Sequence, residues 1–150
     1  MKRKLIAVLL ALPLVAAEPA GFKYWSAAQL QGLAKKMSSN TEKTSLESLG
    51  RFGTERAVMV HRNVSGVAEL HERDADVIVV ISGTGTLIVG GSMVGGKKTE
   101  AAEVRGRSIH GGVHQNIGPG DIFHIPPKTP HQILLEPGTE ISYFTLKVKE

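Results

Sequence analysis

The chain has no cysteine among its 150 residues. That excludes a disulfide framework and a cysteine-linked lipid, and leaves the fold to be held by its core. Aromatic residues make up only 5% of it, and basic residues are scattered, as at Lys97 and Lys98 or Arg105 and Arg107. No surface for tracking phosphates or stacking bases is expected, so nucleic acid is not an expected partner. Neither a Gly-x4-Gly-Lys-Ser/Thr nor a strand-to-helix Gly-x-Gly-x2-Gly pattern occurs, so the loop bracketed by Gly90-Gly91 and Gly95-Gly96 is no phosphate cradle. The apolar run from Leu5 to Val15 is broken by Pro13 and falls well short of the roughly 20 residues that span a bilayer.

What is present around that run is a targeting layout. Lys2-Arg3-Lys4 precedes it and Ala16-Ala17 follows, giving a Val15-x-Ala17 cleavage box. Residues 1–17 are therefore expected to be a signal peptide cut before Glu18, with a periplasmic or secreted product and no stable membrane insertion after cleavage. Three of the 18 basic residues and none of the 14 acidic ones lie in this segment, so without it the net charge drops from +4 to +1. The remaining chain, about 133 residues, suits one domain with a real core.

Ser26-Ala27-Ala28-Gln29 has the capping-box pattern, and Leu30, Leu33, Ala34 and Met37 recur at helical spacing. A helix over 27–37, lying as a lid on a sheet, is predicted within an N-terminal extension of residues 18–52. Residues from Ser38 to Gly50 read as a polar connection. From residue 53 to 150 the pattern changes to β: runs at 56–62, 77–81, 86–89, 121–125, 132–135 and 141–148 are rich in β-branched residues and bounded by Gly, Pro, Asn or Asp. Short strands at this spacing predict an all-β sandwich or barrel.

Two motifs of metal-ligand residue types sit between these runs: Glu69-x-His71-x4-Asp76-x6-Gly83 and Gly120-Asp121-x4-Pro126-x4-His131. Strand alternation puts Glu69 and His71 on one face, Asp76 with Ile78 and Val80 on another, and His131 with Ile133 and Leu135 on a third. Each candidate thus stands at a strand mouth beside apolar residues, as in a polar cluster at one end of an apolar pocket. Two histidines with one or two carboxylates favour a borderline divalent ion. The competing reading pairs Glu69 and Asp76 with Arg73 or Arg105 as surface ion pairs.

Together the motifs resemble the two signatures of the cupin superfamily, roughly G-x5-H-x-H-x3,4-E-x6-G and G-x5-P-x-G-x2-H-x3-N. Glu69 stands where that family has its first histidine, and Asp76, one methylene shorter, where it has glutamate. The resemblance implies an antiparallel cupin β-barrel, a double-stranded β-helix or jelly roll, over residues 53–150. It also implies a divalent ion (iron, manganese, zinc or nickel) held by Glu69, His71, Asp76 and His131. Ile88-Val89-Gly90-Gly91, Glu103-Val104-Arg105-Gly106, Ile109-x-Gly111-Gly112 and Tyr143-x3-Lys147-Val148 look like a branch of exported single-domain, cupin-2-like conserved barrels with no established reaction. A small-molecule ligand or substrate is the implied partner. A homodimer is expected, since open strand edges tend to be paired.

Two function classes follow: a metal-dependent enzyme acting on a small oxygen-rich or carboxylate metabolite, or a non-catalytic small-ligand-binding module. No catalytic residue is fixed; His124, in the strand of the second motif, is the candidate proton-transfer group pointing into the pocket. His110 and His114, flanking Gly111-Gly112, read as solvent-exposed, and His61 faces either way. In the last strand, Phe144, Leu146 and Val148 share one face and Tyr143, Thr145 and Lys147 the other, with the lysine read as solvated.

Overall fold

A computed structural model describes residues 17–150. The targeting segment expected over residues 1–17 lies, Ala17 apart, outside the described residues. No helix among the described residues is long and apolar enough to cross a membrane. The predicted helix is present as α1 (Ala27–Ser38), and its capping box is complete: Gln29 N–H donates to Ser26 Oγ at 3.2 Å and Ser26 N–H to Gln29 Oε1 at 2.8 Å. These bonds satisfy two donors that a helix start leaves orphaned. Its apolar stripe buries Ala34 and Met37 on Met59, with Leu30, Leu33, Leu49, Ile81 and Phe144 packed around them.

Thirteen strands follow, every pairing antiparallel. They are β1 (Thr44–Phe52), β2 (Glu55–Arg62), β3 (Ala68–His71), β4 (Asp74–Gly83), β5 (Gly85–Val89), β6 (Ser92–Val94) and β7 (Lys97–Glu100), then β8 (Glu103–Gly106), β9 (Ser108–His110), β10 (Val113–Ile117), β11 (Ile122–Ile125), β12 (His131–Leu134) and β13 (Ile141–Lys149). One sheet has the order β1-β2-β13-β4-β11, the other β10-β5-β12-β3-β8-β7, and β6-β9 is a separate ribbon. The predicted all-β architecture with one short helix is met, and the six predicted runs fall on β2, β4, β5, β11, β12 and β13.

The inner faces meet in one core: Val60, Ile78, Val80 and Tyr143 from the first sheet against Leu87, Ile117 and Ile133 from the second. The first sheet is also covered outside, where Met59 and Phe144 lie under α1. Burial on both faces is why β4 reads as an unbroken apolar run rather than an alternating one. The chain passes from one sheet to the other at Gly83-Thr84-Gly85. Gly83 has φ +76°, and a Cβ there would collide with the carbonyl of Glu140, so the crossing requires glycine.

The polar connection expected from Ser38 to Gly50 is corrected. From Thr44 onward it is β1, paired with β2 through a bulge at Ser48/Gly50, so the sheet starts before residue 53. As an edge strand with Leu46, Glu47 and Ser48 exposed, β1 has no need of the apolar alternation that reveals a covered strand.

Candidate metal and ligand site

Cross-strand register assembles the site. In the second sheet His131 is the direct partner of Glu69, Glu69 of Arg105, and His71 of Glu103. In the first, Asp76 lies opposite Lys147 and Lys147 opposite Arg56. Directly opposed side chains on one face stand about 5 Å apart at Cβ, so each row is a set of neighbours by construction. The two rows line the same end of a pocket of about 500 Å³ whose deeper wall is Ile78, Leu87, Ile125, Ile133 and Tyr143.

Glu69, His71 and His131 each bring a ligand atom within 4.8 Å of the others. Both imidazoles are oriented from behind. His71 Nδ1 lies 2.7 and 2.8 Å from the two carboxylate oxygens of Glu103, and His131 Nδ1 is 3.0 Å from the Thr129 carbonyl. Nδ1 is thereby the protonated nitrogen in each neutral ring, which leaves the Nε2 lone pair facing the pocket. Those two Nε2 atoms converge on one oxygen, Asp76 Oδ2, at 3.1 Å from His71 and 3.5 Å from His131. Two imidazoles with their outer nitrogens anchored and carboxylates alongside are a donor set that suits a borderline divalent ion. The residues present fit the implied metal.

The loop before β12 is fixed to the same place. Lys128 N–H donates to the carbonyl of His71 at 2.7 Å and Gly90 N–H to that of Pro130 at 2.8 Å. Lys128 holds a left-handed φ of 62° to do so, a conformation non-glycine residues adopt at some cost. Pro126, Pro127 and Pro130 restrict the rest of the loop.

Charge is balanced locally. Burial alone would raise the pKa of Asp76, but the hydrogen bond that the protonated His71 ring donates from Nε2, with the Lys147 and His71 charges, outweighs it and holds it at about 2. Burial also disfavours charged His71; the hydrogen bond to Asp76, with the Asp76 and Glu103 charges, overcomes burial and the repulsion of Lys147, and its pKa is raised. His131 goes the other way, lowered chiefly by burial, as suits a neutral ligand. Glu69 lies between two guanidiniums, with Oε1 3.8 Å from Arg62 Nη2 and 3.5 Å from Arg105 Nη1. The ion pair foreseen between Glu69 and Arg105 thus exists beside the metal-type cluster rather than instead of it. Arg62 is held by donating from Nε to Tyr143 Oη at 3.0 Å.

Two sequence expectations are corrected. His124 does not point into the pocket: it is exposed, paired with Val77 on the outer face of β11, while its neighbour Ile125 is buried and lines the pocket. Lys147 is not solvated: its Nζ lies 2.7 Å from Asp76 Oδ1 and 2.8 Å from His71 Nε2. Glu103 and Lys147 are the site residues that sequence reading missed. His110 and His114 are exposed, as expected. His61 is fully buried off the pocket, with Nδ1 2.9 Å from Ser142 Oγ.

No family model and no curated protein matches the sequence. Solved structures do match. Among them are the polyketide cyclase RemF of Streptomyces resistomycificus, at 18% identity over 71% of this chain and 65% of that one with TM-score 0.50, and a cupin-2 domain protein of Rhodospirillum rubrum, at 15% identity over 73% and 62% with TM-score 0.53. A third is a double-stranded β-helix domain protein of Klebsiella pneumoniae, at 13% identity over 73% and 80% with TM-score 0.53. The chain spans less than two thirds of the length of the first two. It has the cupin fold, and at these identities the likeness is one of fold.

Proposed function

We propose, from a cupin-fold chamber with this donor set, that the protein is a metal-dependent enzyme acting on a small oxygen-rich or carboxylate metabolite. The observation that carries the reading is the convergence of two back-anchored imidazoles on Asp76 Oδ2, with Glu69 alongside. His71, His131 and Glu69 would hold the ion; Asp76, outside that group but beside both Nε2 atoms, is the carboxylate that could take the place of Glu69. A bound divalent ion supplies Lewis-acid polarisation of a ligand oxygen. The chain's own groups do the rest. Arg62 and Arg105 offer guanidinium donors beside Glu69 for an anionic ligand group, and Ile78, Leu87, Ile125 and Ile133 exclude water from the deep end. Activities named for similar structures, such as that of the polyketide cyclase, support catalysis in chambers of this fold without selecting a reaction for this chain.

We also propose export to the periplasm or medium, supported by the basic, apolar and small-residue order of residues 1–17. Homodimerisation is supported by the open edge at β1, where Leu46 is 69% exposed. A second reading, a ligand-binding barrel without metal, is favoured by one observation: the Lys147 ammonium already supplies a cation to Asp76.

The test is elemental analysis of protein purified without chelator or histidine tag, then aerobic and anaerobic metabolite screening. Stoichiometric metal with product formation is the expected result. Protein that stays metal-free after reconstitution with iron, manganese, zinc and nickel in turn would leave the ligand-binding barrel as the better account.

A further inference from the structure

We propose that the Lys147 ammonium is the resident cation of this site: it bonds Asp76 and His71 where a divalent ion would, and so sets how tightly the site takes metal. The inference rests on the metal-site reading above. It starts from exclusivity at one atom. In the neutral form that ligation requires, with the Nδ1 proton given to Glu103, His71 has a single lone pair, on Nε2, and Lys147 Nζ stands 2.8 Å from that nitrogen. One lone pair cannot serve an ammonium proton and a metal ion together. The same ammonium holds Asp76 Oδ1 at 2.7 Å. Entry of an ion therefore requires two charge-assisted contacts to be given up, and brings a divalent charge toward an ammonium in a shielded space.

The placement is built rather than incidental. Lys147 is the direct cross-strand partner of Asp76, and its side chain is only 19% exposed. Arg56, its partner on the other side, is drawn off to Asp74 at 3.1 Å, while Arg62 and Arg105 flank Glu69. Among the described residues Lys147 alone bonds the Asp76 carboxylate as a permanent cation. A carboxylate buried to 4% exposure needs such a partner in the absence of an ion. Once displaced, the ammonium remains on the pocket wall, where it can pair with an anionic group of the ligand.

The experiment measures zinc and manganese affinity of the mature protein, by competition with a chromophoric chelator, for wild type, Lys147→Met and Lys147→Gln, with the exposed Lys98→Met as control. Both position-147 variants should bind at least about tenfold more tightly than wild type, with Lys98→Met unchanged. Without metal, Lys147→Met should melt below wild type, and saturating zinc should raise its melting temperature by more than it raises that of wild type. If either variant fails to fold, the other carries the measurement; if neither folds even with zinc present, Lys147 is a structural partner of Asp76 and the proposal is overturned. Equal or weaker binding by the variants overturns it while leaving the metal reading intact. Binding by the variants but not by wild type supports it and overturns native metal dependence. No binding by any protein overturns both.

Discussion

Asp76 and Lys147 face each other across the β4–β13 pairing, with Oδ1 and Nζ 2.7 Å apart. Against burial, which raises the Asp76 pKa, the His71 hydrogen bond and this pair together lower it and make acid stability a readout of the site. Asp76 titrates at about 2 instead of its ordinary 3.8, so its contribution to folding is complete above the ordinary value and disappears as pH falls through the depressed one. The shift corresponds to about 2 kcal/mol for this buried group. Urea unfolding between roughly pH 4 and pH 2 should therefore show wild type losing about that much more stability than Asp76→Asn. Parallel pH profiles for the two proteins would refute the account.

His131→Ala should abolish metal retention, whereas His114→Ala should leave it unchanged. His131 is 6% exposed with Nδ1 on the Thr129 carbonyl, so its ring is already ordered for ligation; His114 stands exposed on the edge strand β10. Metal content after gel filtration decides the point, and comparable losses in both variants would contradict it.

Glu103→Gln tests the anchor behind His71. It keeps the shape of the side chain but replaces the acceptor of the Nδ1 proton with a weaker one, and metal affinity should fall on the order of 10 to 100-fold. Isothermal titration measures this. Unaltered affinity would mean that the His71 ring is held by packing alone.

Gly83→Ala should destabilise the fold by several kcal/mol or prevent folding, an effect on the order of the largest single-residue losses. The backbone there is left-handed and an added methyl meets the Glu140 carbonyl. Gly138→Ala, also at positive φ but with open space around it, should cost about 1 kcal/mol. Thermal melts of the two variants compare collision with conformation alone.

How much of this was legible in sequence depends on what covers each element. The exposed capping box of α1 announced itself through local side-chain to backbone hydrogen bonds, and the β-branched runs of β2, β4, β5, β12 and β13 because they are buried. The short, exposed strands β7, β9 and β10 and the edge strand β1 bury too little to leave a hydrophobic pattern. Alternation grouped Tyr143, Thr145 and Lys147 correctly, yet it could not tell which face was inner. Phe144 on the opposite face is also packed, against α1, so both faces of β13 read as apolar and the lysine was sent to solvent. Glu103 was invisible for another reason: only the β3–β8 register sets it opposite His71. For His124, in β11 at the edge of its sheet, burial resumes one residue later at Ile125, and a single polar residue between apolar ones does not say which side is wet.

The cluster also draws on both sheets at once: His71, His131 and Glu69 stand on β3 and β12, Asp76 and Lys147 on β4 and β13. Whatever cation joins these groups acts as a rivet between the two layers of a chain that has no cysteine to cross-link them. With a lysine as the rivet the fastening is built into the chain but soft. With an ion it would be reversible, its hold on the folded state rising with the logarithm of free metal concentration once the site saturates. The open end of the barrel would then stiffen or loosen with the free metal around it, and the few atoms of the proposed site would govern how long the fold survives.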